Sequence, residues 1–230
     1  MLGDKRFLRT MRVRNVLSFG PESSEFELQS LNVLIGPNGS GKSNLIEAMA
    51  LLQAAPGNLL EPIQAGGGIH AWLWKGTEST PVAEIEATVS YAQGKMPLRH
   101  RLSLTMVGQR AELVDEAIED EQGRGADVDF YYRYARGRPV LSVKKEPNSL
   151  KRERRLIRPG TLPPGQSVLS QRRDPDQYPE LTYLGEQYAG FKLFREWNLG
   201  RNTPPRKPQP TDLPADFLRE DAANLALVLN

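Results

Sequence analysis

The sequence predicts an α/β protein, and three features predict it. A compact apolar run at residues 31–35 (LNVLI) stops abruptly at Gly36, as a buried central strand does. A glycine-rich loop follows. Residues 42–53 then repeat apolar side chains at helical spacing, with Leu45, Met49 and Leu52 on one face and Ile46 beside them. Downstream, strand-like runs at 83–91, 98–107, 110–117, 128–135 and 138–143 are parted by turn signals such as Gln93-Gly94, Val107-Gly108 and Arg136-Gly137. Spacings this short suit an antiparallel meander and leave no room for βαβ crossovers.

The remaining stretches join these parts. Residues 7–19 (FLRTMRVRNVLSF) alternate apolar residues with arginines and predict one long edge strand. Gly20-Pro21 turns the chain, and Phe26-Glu27-Leu28 predicts a short antiparallel return. Pro56-Gly57 stops the helix. Residues 57–80, with Gly66-Gly67-Gly68, Trp72 and Trp74, predict an irregular connector holding one helical turn. Residues 144–175 are rich in proline and charge and predict an exposed loop. Leu181, Leu184, Tyr188, Phe191, Phe194 and Trp197 carry a helical pattern, and the prolines of 200–214 predict an extended crossing. Phe217, Leu218, Leu225 and Val228 or Leu229 form the apolar face of a last helix over 216–230. The chain therefore divides into a core at 7–82, a β meander at 83–143, a basic loop at 144–175 and a helical segment at 176–230.

Composition sets outer bounds. The 230 residues are 39% hydrophobic and 25% charged, ordinary for a globular chain. With no cysteine, disulfides, thiolate zinc sites and thiol catalysis are excluded. The two histidines, His70 and His100, stand far apart with no HExxH pattern, which argues against a histidine metal site. No run approaches the roughly 18 apolar residues of a membrane span, and the first residues lack a signal-peptide apolar core. The expectation is a cytoplasmic protein without membrane contact.

The chemistry lies in the glycine loop. Gly36-Pro37-Asn38-Gly39-Ser40-Gly41-Lys42-Ser43 matches G-x-x-x-x-G-K-[S/T], the P-loop, and sits between a predicted strand and a predicted helix. Glycines let successive backbone N–H groups turn inward around phosphate oxygens. The helix that starts there adds its positive dipole end. Lys42 then reaches the β- and γ-phosphates, and Ser43 offers a hydroxyl to Mg²⁺. ATP with magnesium is the expected ligand, held by residues 36–43 together with Asn44.

Hydrolysis needs more: a carboxylate near the metal and a group that orients water. Leu113-Val114-Asp115-Glu116 is the nearest candidate for a strand ending in Asp-Glu. Glu112 interrupts its apolar run, and the surroundings read as a solvent-facing hairpin. Asp127 and Asp129 fare no better. Leu169-Ser170-Gln171-Arg172 only echoes an LSGGQ signature. The expectation is a nucleotide half-site without its hydrolytic half, inactive in turnover by itself, in a chain that stops inside an unfinished helical pattern.

The run from Gly36 to Asn44, continued by Leu45-Ile46-Glu47-Ala48-Met49, resembles the RecF/SMC/OLD-type branch of ABC-like AAA-family ATPases. Val13-Arg14-Asn15-Val16-Leu17-Ser18-Phe19 is similar to the first strand of that branch. Phe217-Leu218-Arg219-Glu220-Asp221-Ala222-Ala223-Asn224-Leu225-Ala226 is similar to a later segment that usually reads L-x-x-D-G-x-N-L-A, with Ala222 where glycine is common. The resemblance implies a P-loop NTPase fold of ABC/SMC type, a mixed sheet with an antiparallel β subdomain. It also implies head-to-tail homodimers with ATP sandwiched between a P-loop and a signature motif, and a role in DNA repair or in phage defence with a nuclease or other effector. Signature, Asp-Glu strand and switch histidine come later in that family, which implies an absent C-terminal part of about 100–200 residues. The family's glutamine has no firm counterpart here; Gln64 is one position for it and a surface glutamine is the other reading. Phe19 is similarly open, between adenine stacking and the core.

Charge is unevenly placed. Residues 133–158 hold ten basic and two acidic side chains, a surplus of eight in a chain of net +2. Lys144, Lys145, Lys151, Arg152, Arg154, Arg155 and Arg158 are the candidates for contact with DNA, with Tyr131, Tyr132 and Tyr134 just before them. A solvated charged loop is the other reading. The absence of a helix-turn-helix or finger pattern argues against sequence-specific contact. Two competing functions are the nucleotide-binding subunit of an ABC transporter and a P-loop protein that binds ATP without hydrolysing it. A small-molecule kinase fits the β meander poorly.

Overall fold

The computed structural model describes residues 6–22, 24–94, 96–121, 129–135, 137–146, 151–158, 163–195 and 200–229. It holds an eight-stranded antiparallel sheet: β1 (Leu8–Arg14), β2 (Ser24–Glu27), β3 (Ala83–Val89), β4 (Leu98–Val107), β5 (Arg110–Asp120), β6 (Phe130–Ala135), β7 (Arg138–Lys144) and β8 (Arg152–Leu156). The strand order is β2-β1-β3-β4-β5-β6-β7-β8. From β3 onward each strand pairs with the next in sequence, so the predicted meander is present and gains one further strand. The helices are α1 (Lys42–Ala54), α2 (Glu61–Ala65), α3 (Ile69–Trp72), α4 (Val168–Gln171), α5 (Pro179–Ala189) and α6 (Leu225–Leu229).

Register decides which side chains share a face, because successive residues alternate across a strand. Met11, Ala87, His100, Ile118, Tyr132 and Leu141 follow one another across six strands, and Val13, Ile85 and Leu102 form a second row. All are buried. α4 and α5 cover this face through Val168, Leu169, Leu181, Leu184 and Tyr188, and α1 packs against α5. The opposite face carries charges in cross-strand pairs: Arg12 with Glu25 and Glu86, Arg14 with Glu84, Arg101 with Asp115, and Arg99 and Arg133 together on Glu119.

Several expectations are corrected. The first strand ends at Arg14 and lies between β2 and β3, so it is not an edge. Beyond it Asn15 and Leu17 take left-handed φ values of 55° and 51°, which bury Val16 and turn the chain. The connector after α1 holds two short helices, not one. Residues 144–175 are not all exposed loop: they contain β8 and the buried α4. The helical pattern near Leu181 ends at Ala189, leaving Phe191 and Phe194 outside it, while Trp197 falls outside the described residues.

The largest departure concerns residues 31–35. They form no strand, and Leu31, Val33 and Ile35 are 82%, 72% and 90% exposed. A central strand is buried only when strands flank it on both sides, and among the described residues none pairs with this run. The run that would make the sheet mixed is thus unpaired among the described residues, and the observed sheet is antiparallel throughout.

Residues 190–230 form a separate compact unit. The predicted helix over 216–230 is reduced to α6, five residues. Before it lies a turn organised by the buried Asn224. Its carboxamide oxygen accepts from the Arg219 backbone N–H at 2.9 Å, and its nitrogen donates to the carbonyls of Pro214 and Phe217 at 2.7 Å each.

A candidate nucleotide-binding site

The P-loop is the one predicted site whose residues the structure brings together. Gly39 and Gly41 take φ values of 81° and 91°, the left-handed region that glycine enters without a steric cost. A Cβ on Gly36 would stand 2.8 Å from the Ser40 hydroxyl, which would have to turn away to admit it. Gly41 is the N-cap of α1; no side chain caps that end and no acidic residue occupies the first turn. The first N–H groups of a 13-residue helix are therefore left for an anion.

Lys42 shows how the loop manages its charge. Its ammonium donates to the carbonyls of Gly36 at 2.8 Å and Pro37 at 2.7 Å, and reaches the Ser40 hydroxyl at 3.2 Å. The lysine is thus folded over the rim of the cradle, where phosphate oxygens would replace backbone carbonyls as its acceptors. Ser43 is exposed on the first turn of α1. The glycine geometry, the uncapped helix end and the adjacent ammonium fit a polyphosphate. Among the described residues no group of three or more Asp, Glu or His gathers for a metal. A magnesium ion here would accordingly rest on Ser43 and on the nucleotide's own phosphates.

Asn44 acts differently from its neighbours. Its carboxamide donates to the Ser18 hydroxyl at 2.7 Å, tying α1 to the turn after β1. A Cβ on Gly41 would lie 3.0 Å from that hydroxyl and 3.5 Å from the Phe19 ring. Phe19 in turn meets Phe26 edge-to-face at 5.7 Å. The left-handed turn at Asn15 to Leu17 sets Ser18 and Phe19 against the P-loop, a placement that the strand pattern of 7–19 hid.

The rejected hydrolytic carboxylates have structural employment. Asp115 pairs with Arg101 at 3.1 Å. Glu116 is fully buried, not on a solvent-facing hairpin. It accepts from the Ser167 hydroxyl at 2.5 Å and the Val168 backbone N–H at 2.9 Å, and lies 3.2 Å from His100 Nε2. With Nε2–H donating to the carboxylate, His100 Nδ1 is left to accept from the Tyr188 hydroxyl, 3.3 Å away. Leu169, in the signature-like stretch, is a buried residue of α4. Asp127 lies outside the described residues. Gln64 is exposed and lines a groove of about 520 Å³ between α2 and the β4–β5 turn.

The basic candidates divide. Arg152 is engaged: it bonds buried Glu180 at 2.5 Å and stacks 4.7 Å over Tyr131. Arg155 lies 3.7 Å from Glu153. Arg154 is exposed, its guanidinium 4.8 Å over the Phe130 ring. Lys145, Lys151 and Arg158 are exposed and Lys144 is half-buried. Of the tyrosines, Tyr132 is buried in the core and Tyr131 donates to Asp120 at 2.8 Å, so neither offers a free ring.

Comparison with known proteins now decides the family. Residues 31–226 match the family described as "AAA domain, putative AbiEii toxin, Type IV TA system". The chain belongs to this AAA family. Its members are ATPases of P-loop type, and similarity extends to the SMC and ABC groups. The chain is 33% identical over 86 residues to the chromosome partition protein Smc of Mycobacterium tuberculosis, covering 36% of this chain and 7% of that protein. It is 29% identical over 98 residues to Smc of Mycolicibacterium paratuberculosis, covering 41% and 8%. It is 32% identical over 117 residues to the vitamin B12 import ATP-binding protein BtuD of Escherichia coli, covering 47% and 44%. The chain thus spans under a tenth of the Smc proteins and under half of BtuD. A solved structure from work on ATP-driven dimerization and DNA-stimulated activation of SMC ATPases aligns with a TM-score of 0.40 and 18% identity, over 52% of this chain and 72% of that one. Among the described residues of this AAA protein, no helix is long and apolar enough to cross a membrane.

Proposed function

We propose that this AAA-family chain binds ATP with Mg²⁺ at residues 36–44 and is the nucleotide-holding half of an ATP-dependent dimer switch of the RecF/SMC/OLD kind. In this reading the switch serves DNA repair, or phage defence with a nuclease or other effector. The observation that carries the reading is the P-loop itself: left-handed glycines, an uncapped helix end and the Lys42 ammonium converge on one cradle. Asn44 belongs to the site as a positioning residue through Ser18.

The hydrolytic half comes, in this reading, from outside these residues. The exposed apolar run at 31–35 supports it, since a strand that leads into a P-loop stays apolar for burial between neighbours. The occupied state of Asp115 and Glu116 supports it as well.

The test is nucleotide binding and ATP turnover by the 230-residue chain, with and without duplex DNA, beside Lys42→Ala. Loss of the ammonium removes charge-assisted contacts to phosphate and weakens binding by about 2–3 kcal/mol, roughly 30- to 150-fold. Binding without turnover, weakened in Lys42→Ala, is the expected result. Turnover by the parent chain that Lys42→Ala abolishes would place the hydrolytic carboxylate within these residues and sink the half-site proposal. Failure of the parent to bind ATP would overturn the site.

A further inference from the structure

The sheet has two outer edges, and they carry opposite charge. β2 borders one side and β8 the other, and among the described residues no strand pairs with the outer side of either. Residues 22–27 hold three glutamates and no basic side chain, while residues 151–155 hold four basic side chains and one acidic. Glu25 and Glu27 are exposed, as are Arg154, Arg155 and Leu156.

Hydrogen-bond parity shows which backbone groups the edges leave open. In an antiparallel pair every second residue turns both its N–H and its C=O to the neighbouring strand, and the residues between turn theirs away. The Leu28 N–H donates to the Arg9 carbonyl at 2.8 Å, so Leu28 and Phe26 face β1 while Glu25 and Glu27 face outward. The Lys145 N–H donates to the Lys151 carbonyl at 3.2 Å, and the Ile157 N–H to the Pro139 carbonyl at 3.0 Å. The odd-numbered residues of β8 therefore face β7, and Arg152, Arg154 and Leu156 present their backbone groups outward.

Laid antiparallel, β2 of one copy and β8 of another match in these outward groups. One register sets Glu27 opposite Arg154 and Glu25 opposite Leu156, with two backbone hydrogen bonds for each opposed pair. It also joins the charges that are to hand. Arg12 holds Glu25 and Glu180 holds Arg152, but Glu27 and Arg154 have no ion-pair partner among the described residues. Like edges reject each other, since β2 on β2 opposes glutamates and β8 on β8 opposes arginines.

We propose that this chain self-associates edge to edge, β8 of one copy adding to β2 of the next so that the antiparallel sheet continues across copies. Each such contact leaves one β2 and one β8 unfilled, so the assembly is heterologous and grows into chains instead of closing as a dimer. The contact uses neither the P-loop nor ATP, and it stands apart from the nucleotide-dependent dimer switch proposed above.

The experiment is sedimentation velocity of the 230-residue chain without ATP, over rising protein concentration and at low and high salt. Every chain carries Ile35→Ser, which removes apolar association through residues 31–35. The expected Kd is about 0.1 mM, as suits so short an interface, and it weakens about tenfold from low to high salt. Glu27→Pro and Arg154→Pro each remove an outward N–H that bonds nothing within the sheet. Either variant alone stays monomeric, because every copy has one edge blocked. Their equimolar mixture forms a one-to-one dimer through the two edges left intact. Charge reversal repeats the test without touching the backbone: Glu27→Lys and Arg154→Glu each weaken association about tenfold or more, and the double variant, with the charges exchanged, associates like the parent. Circular dichroism verifies that each variant is folded, and the reversals decide the matter where a proline variant is not. A parent that stays monomeric to about 1 mM, or that stops at a dimer, overturns the proposal. So do folded proline variants or single reversals that associate like the parent, or a proline mixture that stays monomeric.

Discussion

Ala222 shows how one residue records a backbone requirement. It takes φ 54° and is fully buried within the turn that Asn224 organises. Left-handed backbone costs a residue with a Cβ about 1–2 kcal/mol, which explains why glycine is common at this point of the segment it resembles. Ala222→Gly relieves that strain but adds about 0.5–1 kcal/mol of chain entropy on folding, so the net runs from no change to a gain of about 1.5 kcal/mol. Ala222→Val meets both the φ restriction of a β-branched side chain and a buried site, and loses more than about 2 kcal/mol. Urea melts of the two variants check the contrast. A second residue-scale case is Glu119. Burial raises its pKa, but hydrogen bonds and charge from Arg99 and Arg133 outweigh burial and hold the carboxyl below its ordinary value. A carboxylate depressed in the folded state stabilises the fold above its unfolded-state pKa, and that contribution fades as pH falls through the folded value. Glu119→Gln is therefore expected to lose about 2–3 kcal/mol at pH 7. The gap from the parent should close as pH is lowered below about 4, read from thermal melts across pH.

At the scale of elements, α4 is too short to hold itself together. Four residues complete barely one turn, and helices of that length owe their stability to tertiary contacts. Glu116 supplies them from β5: its two oxygens take the Ser167 hydroxyl and the Val168 N–H, while Ser167 caps the helix by accepting from the Leu169 N–H at 3.1 Å. Replacing Glu116 with Ala leaves buried donors on Ser167, Val168 and His100 without an acceptor. The expected cost is about 3–5 kcal/mol, read as a drop in Tm and as faster hydrogen exchange at residues 167–171. If Glu116→Ala melts like the parent, the buried network is not what anchors α4.

At the scale of the whole molecule, the unpaired run at 31–35 separates what this chain folds from what it is patterned for. Ile35 is 90% exposed, so Ile35→Ser is expected to change stability by less than about 0.5 kcal/mol and to reduce self-association, read by melting and light scattering. A loss of about 2–4 kcal/mol would instead mean that Ile35 is buried in the folded chain. The pattern of exposure also bears on size. The sheet and α1, α4 and α5 close a core without this run, so residues 6–189 have a packed interior of their own.

The sequence by itself determined the P-loop, α1, the meander and the family resemblance, because each is local: glycine positions, helical spacing and turn signals act within a few residues. It also placed the surplus of positive charge. Only the tertiary structure decided which charges are spent. Arg152 reaches Glu180, 28 residues away, and Arg99 reaches Glu119 across a strand pair, and neither pairing leaves a mark in local spacing. Glu116 read as an exposed strand end because its partners, Ser167 and Val168, lie more than 50 residues downstream. The run at 31–35 read as a buried strand because its composition answers to neighbours, and burial depends on whether those neighbours are there.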